Sequence, residues 1–422
     1  MQQSLNPNTP FLPPEILPMT VGISQIFTVP APDVVGTTQM SDGVSLIHLE
    51  KDKARVECLR KKISKDLFDQ EGFYVKPFAE SIIAFGQPRT LTFFNLKTLT
   101  YKHNWVVPSL NEDLKRVFPL LESPDKFVFE MNTPNFNIYD KNLWLYEFNK
   151  EDWDFLNQQK QGAGLDDKNN KKNFKVLKKV VLGDESLWKI LPFRNSVFAF
   201  YSPTSVWDTN GTRTFAFGKC SIQCFDANLN ASSHPIIDIF QKIRANVSCI
   251  TDCSIHPTLP FGLIGTLYQS KPQIAKDESF DTYSSLWLLR WNHPDKQKRA
   301  IPLFNHLMSI YPSLKPKYIY AANESLNANT FRFCEFSADG SWMVFADASE
   351  NEDNPTFYAF PVDEKFPLFI GKPIMLGKAF REDAIMQSTA WLTNKPTFVM
   401  SDGEILYVWD LTKAPRVSWP EP

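Results

Sequence analysis

A strand, a tight Asp-Gly turn and a second strand occur twice in this chain, far apart, and that pair of hairpins constrains the fold more than any other feature. The first runs Thr38-Gln39-Met40-Ser41-Asp42-Gly43 into residues 44–49. The second runs Phe398-Val399-Met400-Ser401-Asp402-Gly403 into residues 404–411. Glycine supplies the positive φ that a two-residue hairpin loop needs, and aspartate tolerates that region while bonding back to the backbone.

The second strand of this unit recurs between the two copies. Matching runs are 44–49 (VSLIHL), 91–96 (LTFFNL), 143–148 (LWLYEF), 220–225 (CSIQCF), 286–291 (LWLLRW), 356–362 (TFYAFPV) and 405–411 (ILYVWDL). An apolar run precedes most of them, at 81–85, 127–129, 197–201, 262–267, 342–346 and 397–400. Aromatic and β-branched residues bounded by Gly, Pro, Asn and Asp are the strand signal. Successive starts lie 47, 52, 77, 66, 70 and 49 residues apart. The shortest steps approach the roughly 40–45 residues of a four-stranded propeller blade, and the longer ones fit blades with inserted loops.

The sequence therefore predicts an all-β chain, a seven-bladed β-propeller closed near the two chain termini. A ring left open would expose two unpaired strand edges, so residues 23–29 or 416–419 are the expected joining strand. On this reading all 422 residues make one large unit rather than two or three average domains. Residues 1–22 are a proline-rich arm. Residues 23–422 are the propeller, with polar insertions near 157–175, 271–282 and 349–354. Short helical spacing at 110–121 and 236–245 fits connections between blades.

Three local motifs carry a resemblance. Phe336-Ser337-Ala338-Asp339-Gly340 leading into Ser341–Phe345 looks like the lead-in to the second strand of a WD-repeat blade. Cys253-Ser254-Ile255-His256-Pro257 resembles its His-Pro variant, and Trp409-Asp410 is the dipeptide that names the WD-repeat family. The chain thus resembles a divergent WD-repeat propeller, which implies a scaffold that holds other proteins.

The arm is too apolar for a free tail. Pro7, Pro10, Pro13, Pro14 and Pro18 enforce extended backbone, and Phe11, Leu12, Ile16 and Leu17 are candidate partner-binding residues. The arm either packs along its own propeller or docks on a partner as an extended peptide through those residues.

Cys220-x3-Cys224 and Cys249-x3-Cys253 with His256 invite a metal reading, yet these cysteines sit in strand-like runs and fit burial as small hydrophobes better. No nucleophile elbow, zinc-protease motif or dinucleotide loop is present, so no catalytic residue, cofactor or metal is expected. Basic residues cluster at 51–65, at 168–179 and at 296–299, while 45 basic against 47 acidic side chains leave a net charge of -2. Balance of that kind argues against a general polyanion surface. Six cysteines make no disulfide framework, residues 1–20 hold no secretory signal, and no apolar run of about 18 residues exists to span a membrane.

The expected role is a non-catalytic interaction platform in the cytosol or nucleus, a scaffold subunit whose partners are other proteins in a multi-subunit complex. Two other readings stand beside it. One is a nucleic-acid-associated propeller using the basic loops; the other is a hydrolase with a central-channel site.

Overall fold

The computed structural model describes residues 11–19, 22–23, 25–29, 31–39, 43–51, 53–58, 74–78, 82–87, 90–95, 100–105, 113–120, 122–135, 138–157, 176–183, 187–202, 205–207, 213–215, 220–243, 249–269, 281–302, 319–320, 333–347, 356–362, 374–378 and 388–415. Among them the chain forms a succession of antiparallel sheets, each a meander of neighbouring strands. The first sheet pairs Gln25–Thr28, Val34–Gln39, Gly43–Glu50 and Lys53–Cys58 in that order; the second pairs Tyr74–Phe78, Ile82–Gln87, Thr90–Asn95 and Thr100–Trp105. The third takes Asp113–Leu120, Ser123–Asn135, Ile138–Glu147 and Val176–Gly183. In the fourth, Leu187–Phe193, Ser196–Tyr201, Ser221–Phe225 and Ala231–Ser232 pair in turn, and a small hairpin of Ser205–Trp207 with Arg213–Phe215 stands apart.

The fifth sheet runs Cys249–Ile255, Phe261–Gln269, Asp281–Arg290 and Ala300–Pro302, with Ile319–Tyr320 added beside the third strand. The sixth runs Phe333–Phe336, Trp342–Asp347, Thr356–Pro361 and Ile374–Lys378. The seventh joins Ser388–Trp391, Thr397–Ser401 and Ile405–Asp410 to Glu15–Pro18, so its outermost strand comes from the opposite end of the sequence. The repeated meander is a propeller-like β fold. Each run from 44–49 to 405–411 falls on the third strand of a sheet, and each preceding apolar run falls on the second.

Why these runs are so apolar is clear from the packing. A strand in the middle of a sheet that is covered on both faces needs apolar residues at every position rather than in alternation. Ser196–Tyr201 and Thr397–Ser401 are buried almost throughout. Separate cores fill the spaces between successive sheets. Val344, Phe357 and Leu376 of the sixth sheet pack on Trp391, Phe398 and Trp409 of the seventh. Ile26, Val35 and Ile47 of the first pack on Ala390, Val399 and Leu406 of the seventh. The first strands of the first six sheets touch in succession, and that of the seventh touches that of the first. There the Ser388 hydroxyl accepts from the Ile26 amide at 2.7 Å, and Thr28 Oγ1 from the Trp391 amide at 3.1 Å.

The Trp-Asp dipeptide divides its work. Trp409 Nε1 donates to the Leu376 carbonyl at 2.8 Å, tying the seventh sheet to the sixth. Asp410 caps the turn that follows, accepting from the Thr412 amide at 3.1 Å.

Three expectations need correction. Residues 110–121 are not helical: Asp113–Leu120 is a strand, because pairing with Ser123–Asn135 outweighs apolar residues three and four apart, and Pro119 disfavours a helix there. The strand that joins Ile405–Asp410 is Glu15–Pro18, not 23–29, whose Gln25–Thr28 instead opens the first sheet; 416–419 lies outside the described residues. The arm at 1–22 is therefore in part a sheet strand. A helix at Lys150–Asn157 was not anticipated, although Asn149 and Asp152 cap it reciprocally, at 2.8 and 2.9 Å. The helix at Pro235–Ile243 stands where 236–245 indicated, between the fourth and fifth sheets. The insertions at 157–175, 271–282 and 349–354 lie, apart from their margins, outside the described residues.

Candidate functional site

The two-residue turn Arg194-Asn195 links the first two strands of the fourth sheet, and Arg194 adopts φ 51 there. Its guanidinium reaches both neighbours. Nη2 donates to the Thr258 carbonyl of the fifth sheet at 3.0 Å, and Nε lies 3.7 Å from Glu122 Oε1 of the third. Asn195 Oδ1 accepts from the Ser123 hydroxyl at 2.8 Å, so the turn is held from two sides.

Beside this turn a groove of about 330 Å³ opens, lined by Glu122, Arg194, Asn195, His234, Pro260 and Trp291 among others. Its floor is aromatic. The Phe193 and Trp291 rings meet edge-on at 5.5 Å, the His234 imidazole meets Trp291 at 5.4 Å, and Phe198 lies 4.8 Å from His234 on the other side. Edge-to-face geometry of this kind fixes the rings more tightly than area alone. His234 Nδ1 accepts from the Ile236 amide at 3.2 Å, capping the helix at Pro235–Ile243. Nε2 therefore carries the ring proton, and burial holds the imidazole below its ordinary pKa, in the neutral form. Thr258 and Glu122 engage part of the guanidinium, so the groove offers its remaining N–H donors beside apolar ring surface, which suits a backbone carbonyl with an apolar neighbour.

A second cluster ties the first strands of three sheets. Lys189 Nζ lies 2.6 Å from Asp252 Oδ1 and 2.7 Å from the Cys253 carbonyl. Asp252 also accepts from the Cys253 amide and, from the sixth sheet, the Cys334 amide, each at 2.8 Å. Burial works against the Lys189 ammonium, but the Asp252 carboxylate more than offsets it, and its pKa is raised. Every polar atom of this carboxylate is engaged in holding strands, which makes the cluster structural.

The residues singled out in the sequence are scattered. Leu12 and Leu17 are buried in the chain's own core, whereas Phe11 and Ile16 stay exposed. The Leu12 amide donates to the Met375 carbonyl at 3.0 Å, so the arm crosses the sixth sheet before pairing with the seventh. Cys220, Cys224 and Cys253 are free thiols packed in one apolar core, and burial pushes the Cys224 thiol up to about 11. The side chain of Cys249 lies outside the described residues. The described members of the basic clusters fall on three different sheets: Lys53 and Arg55 on the first, both paired with Glu50, Lys178 and Lys179 on the third, and Lys296 to Arg299 in a short turn of the fifth; Arg60 to Lys65 and Lys168 to Lys175 lie outside the described residues.

Sequence reasoning missed Arg194, His234 and Trp291 as a group, because they belong to three separate segments brought together only by the stacking of two sheets. The local signals were present: Arg-Asn between two apolar runs marks a hairpin turn, and Ser233-His234-Pro235 marks a helix start.

No family model matches the chain, and no curated protein matches it. Among solved structures it is similar to a chain of hydrazine synthase from Kuenenia stuttgartiensis, with 8% identity over 97% of this chain and 98% of that one and a TM-score of 0.48. It is also similar to a chain of a mitotic checkpoint complex, with 7% identity over 97% and 98% and a TM-score of 0.49. A third likeness is to Sqt1 of Saccharomyces cerevisiae, with 10% identity over 95% and 99% and a TM-score of 0.41. All three scores are below 0.5, and the fold rests on the pairing of the chain's own strands.

Proposed function

We propose that this chain is a non-catalytic protein-interaction platform, a closed seven-bladed propeller that serves as a scaffold subunit of a larger assembly in the cytosol or nucleus. Support for the ring comes from the succession of touching first strands and from the core shared by the seventh and first sheets. The observation that carries the interaction reading is the groove beside Arg194 and Trp291, where a guanidinium anchored by Thr258 and Glu122 and aromatic edges are held on a rigid frame. Arginine and tryptophan dominate binding energy at interfaces, and a frame that is already ordered loses little entropy when a partner segment docks.

The test uses the full chain and its Arg194→Glu variant as baits in native extract, followed by sizing and identification of what co-purifies. The expected result is a species larger than the monomer whose partner is lost, or retained at least tenfold less, with an Arg194→Glu variant that circular dichroism shows to be folded. A strictly monomeric chain with no co-purifying protein overturns the reading.

A further inference from the structure

The outermost strand of the third sheet, Val176–Gly183, departs from the pattern set by the others. The outer strands of the fourth, fifth, seventh and sixth sheets have two, three, four and five residues, and the last of these is bridged by Phe11 at Met375. Those of the first and second sheets have six. Val176–Gly183 has eight, and among the described residues no strand pairs with its outer side.

Its side chains are unusual as well. Four large hydrophobic residues are exposed among the described residues, and two of them, Leu177 at 46% and Val181 at 70%, are on this strand. Between them Lys179 lies with its ammonium 3.5 Å from the centre of the Trp144 ring. Lys178 is turned toward the fourth sheet, donating to Asn230 Oδ1 at 2.5 Å. The strand itself carries two lysines and no acidic residue.

A long outer strand with unpaired backbone groups is a template for another strand. Lysines are one device that keeps such an edge from pairing indiscriminately, and exposed Leu177 and Val181 work in the opposite direction. The combination selects by charge: two copies of this strand would bring two pairs of lysines together, whereas an acidic strand would be attracted and would cover the apolar pair. We propose that Val176–Gly183 is a docking strand for an extended, acidic segment of a partner protein, bound by strand addition with its apolar side chains over Leu177 and Val181. This surface is separate from the groove beside Arg194 and does not depend on it.

The experiment measures fluorescence anisotropy with the full chain and two labelled ten-residue peptides, one alternating valine with glutamate and the other valine with lysine. The glutamate peptide is expected to bind at least tenfold more tightly than the lysine peptide, and more weakly as salt rises. A Leu177→Asn, Val181→Asn double variant, which removes the apolar pair without adding charge, is expected to weaken it at least tenfold with the melting temperature unchanged, while Arg194→Glu leaves it intact. Equal binding of the two peptides, or full binding by the double variant, overturns the proposal. So does a concentration-dependent dimer that the double variant abolishes, which assigns the edge to a second copy. Displacement of the glutamate peptide by a ten-nucleotide RNA overturns it in favour of a nucleic-acid surface.

Discussion

His256 and Gly340 lock the fifth sheet to the sixth: the imidazole Nε2 lies 2.9 Å from the Gly340 carbonyl oxygen, across 84 positions of sequence. His256 Nδ1 accepts from the amides of Thr258 and Leu259, at 3.1 and 2.8 Å, so Nε2 is the protonated nitrogen and donates to Gly340. The receiving turn is built around Asp339, whose Oδ1 accepts from the Ser337 hydroxyl at 2.6 Å and from the Ser341 amide at 3.0 Å. The two lead-in motifs read in the sequence are thus the two halves of one junction.

Gly340 cannot be replaced without strain. It adopts φ 75, and a Cβ there would stand 2.4 Å from His256 Nε2. Gly340→Ala is expected to cost about 2–5 kcal/mol, from the left-handed backbone and the displaced imidazole together. Denaturant unfolding of the full chain checks this; a loss below about 0.5 kcal/mol would contradict the described junction.

The junction also makes stability depend on pH. Burial lowers the His256 pKa, opposed in part by the Gly340 carbonyl and Asp339. The unfolded chain takes up this proton near the ordinary histidine value of about 6.5, while the folded chain resists it. The contribution is therefore complete above that value and is lost as pH falls below it toward the folded pKa. His234, lowered by burial, adds to the same trend. Melting temperatures recorded from pH 7.5 down to 5 should fall, and His256→Gln should melt lower at pH 7.5 and show a shallower pH slope.

Lys189→Met should be costly, because it leaves Asp252 without its cation at a site where both are largely withdrawn from water. The expected loss is about 3–5 kcal/mol by chemical denaturation. Adding Asp252→Asn should recover part of it, since no unpaired charge remains and the amide oxygen keeps one of the two backbone bonds, at the cost of the other. A double variant less stable than Lys189→Met alone would remove the ion pair from this account.

The arm divides into buried and exposed positions. Leu17→Ala is expected to cost about 2–4 kcal/mol, as a large core side chain 4% exposed. Ile16→Ala and Phe11→Ala, both 41% exposed, should each stay within about 0.5 kcal/mol. Comparing these melting curves with partner capture by the same variants separates packing from docking.

What the sequence disclosed was the middle of each sheet. Runs such as LWLYEF and LWLLRW are legible because a strand covered on both faces is apolar nearly throughout, with only the exposed Glu147 and the buried Arg290 breaking the pattern. Outer strands are short or charged, so Ala231–Ser232 and Glu15–Pro18 leave no comparable trace. Glu15–Pro18 was misread as arm alone because a four-residue strand ending in proline shows no alternation. The groove was illegible for another reason. Arg194, His234, Pro260 and Trp291 lie in separate segments, and only the stacking of the fourth sheet on the fifth makes them neighbours.

The pairing of Glu15 with Val408 and of Leu17 with Leu406 sets a timetable for synthesis. A ribosome adding about 5–20 residues per second needs on the order of 20–80 s after residue 18 to deliver the partner strand. Through that interval Leu12 and Leu17 have no site to fill and are open to chaperones or to neighbouring nascent chains. A translation product halted before residue 405 leaves Glu15–Pro18 without the strand it pairs with.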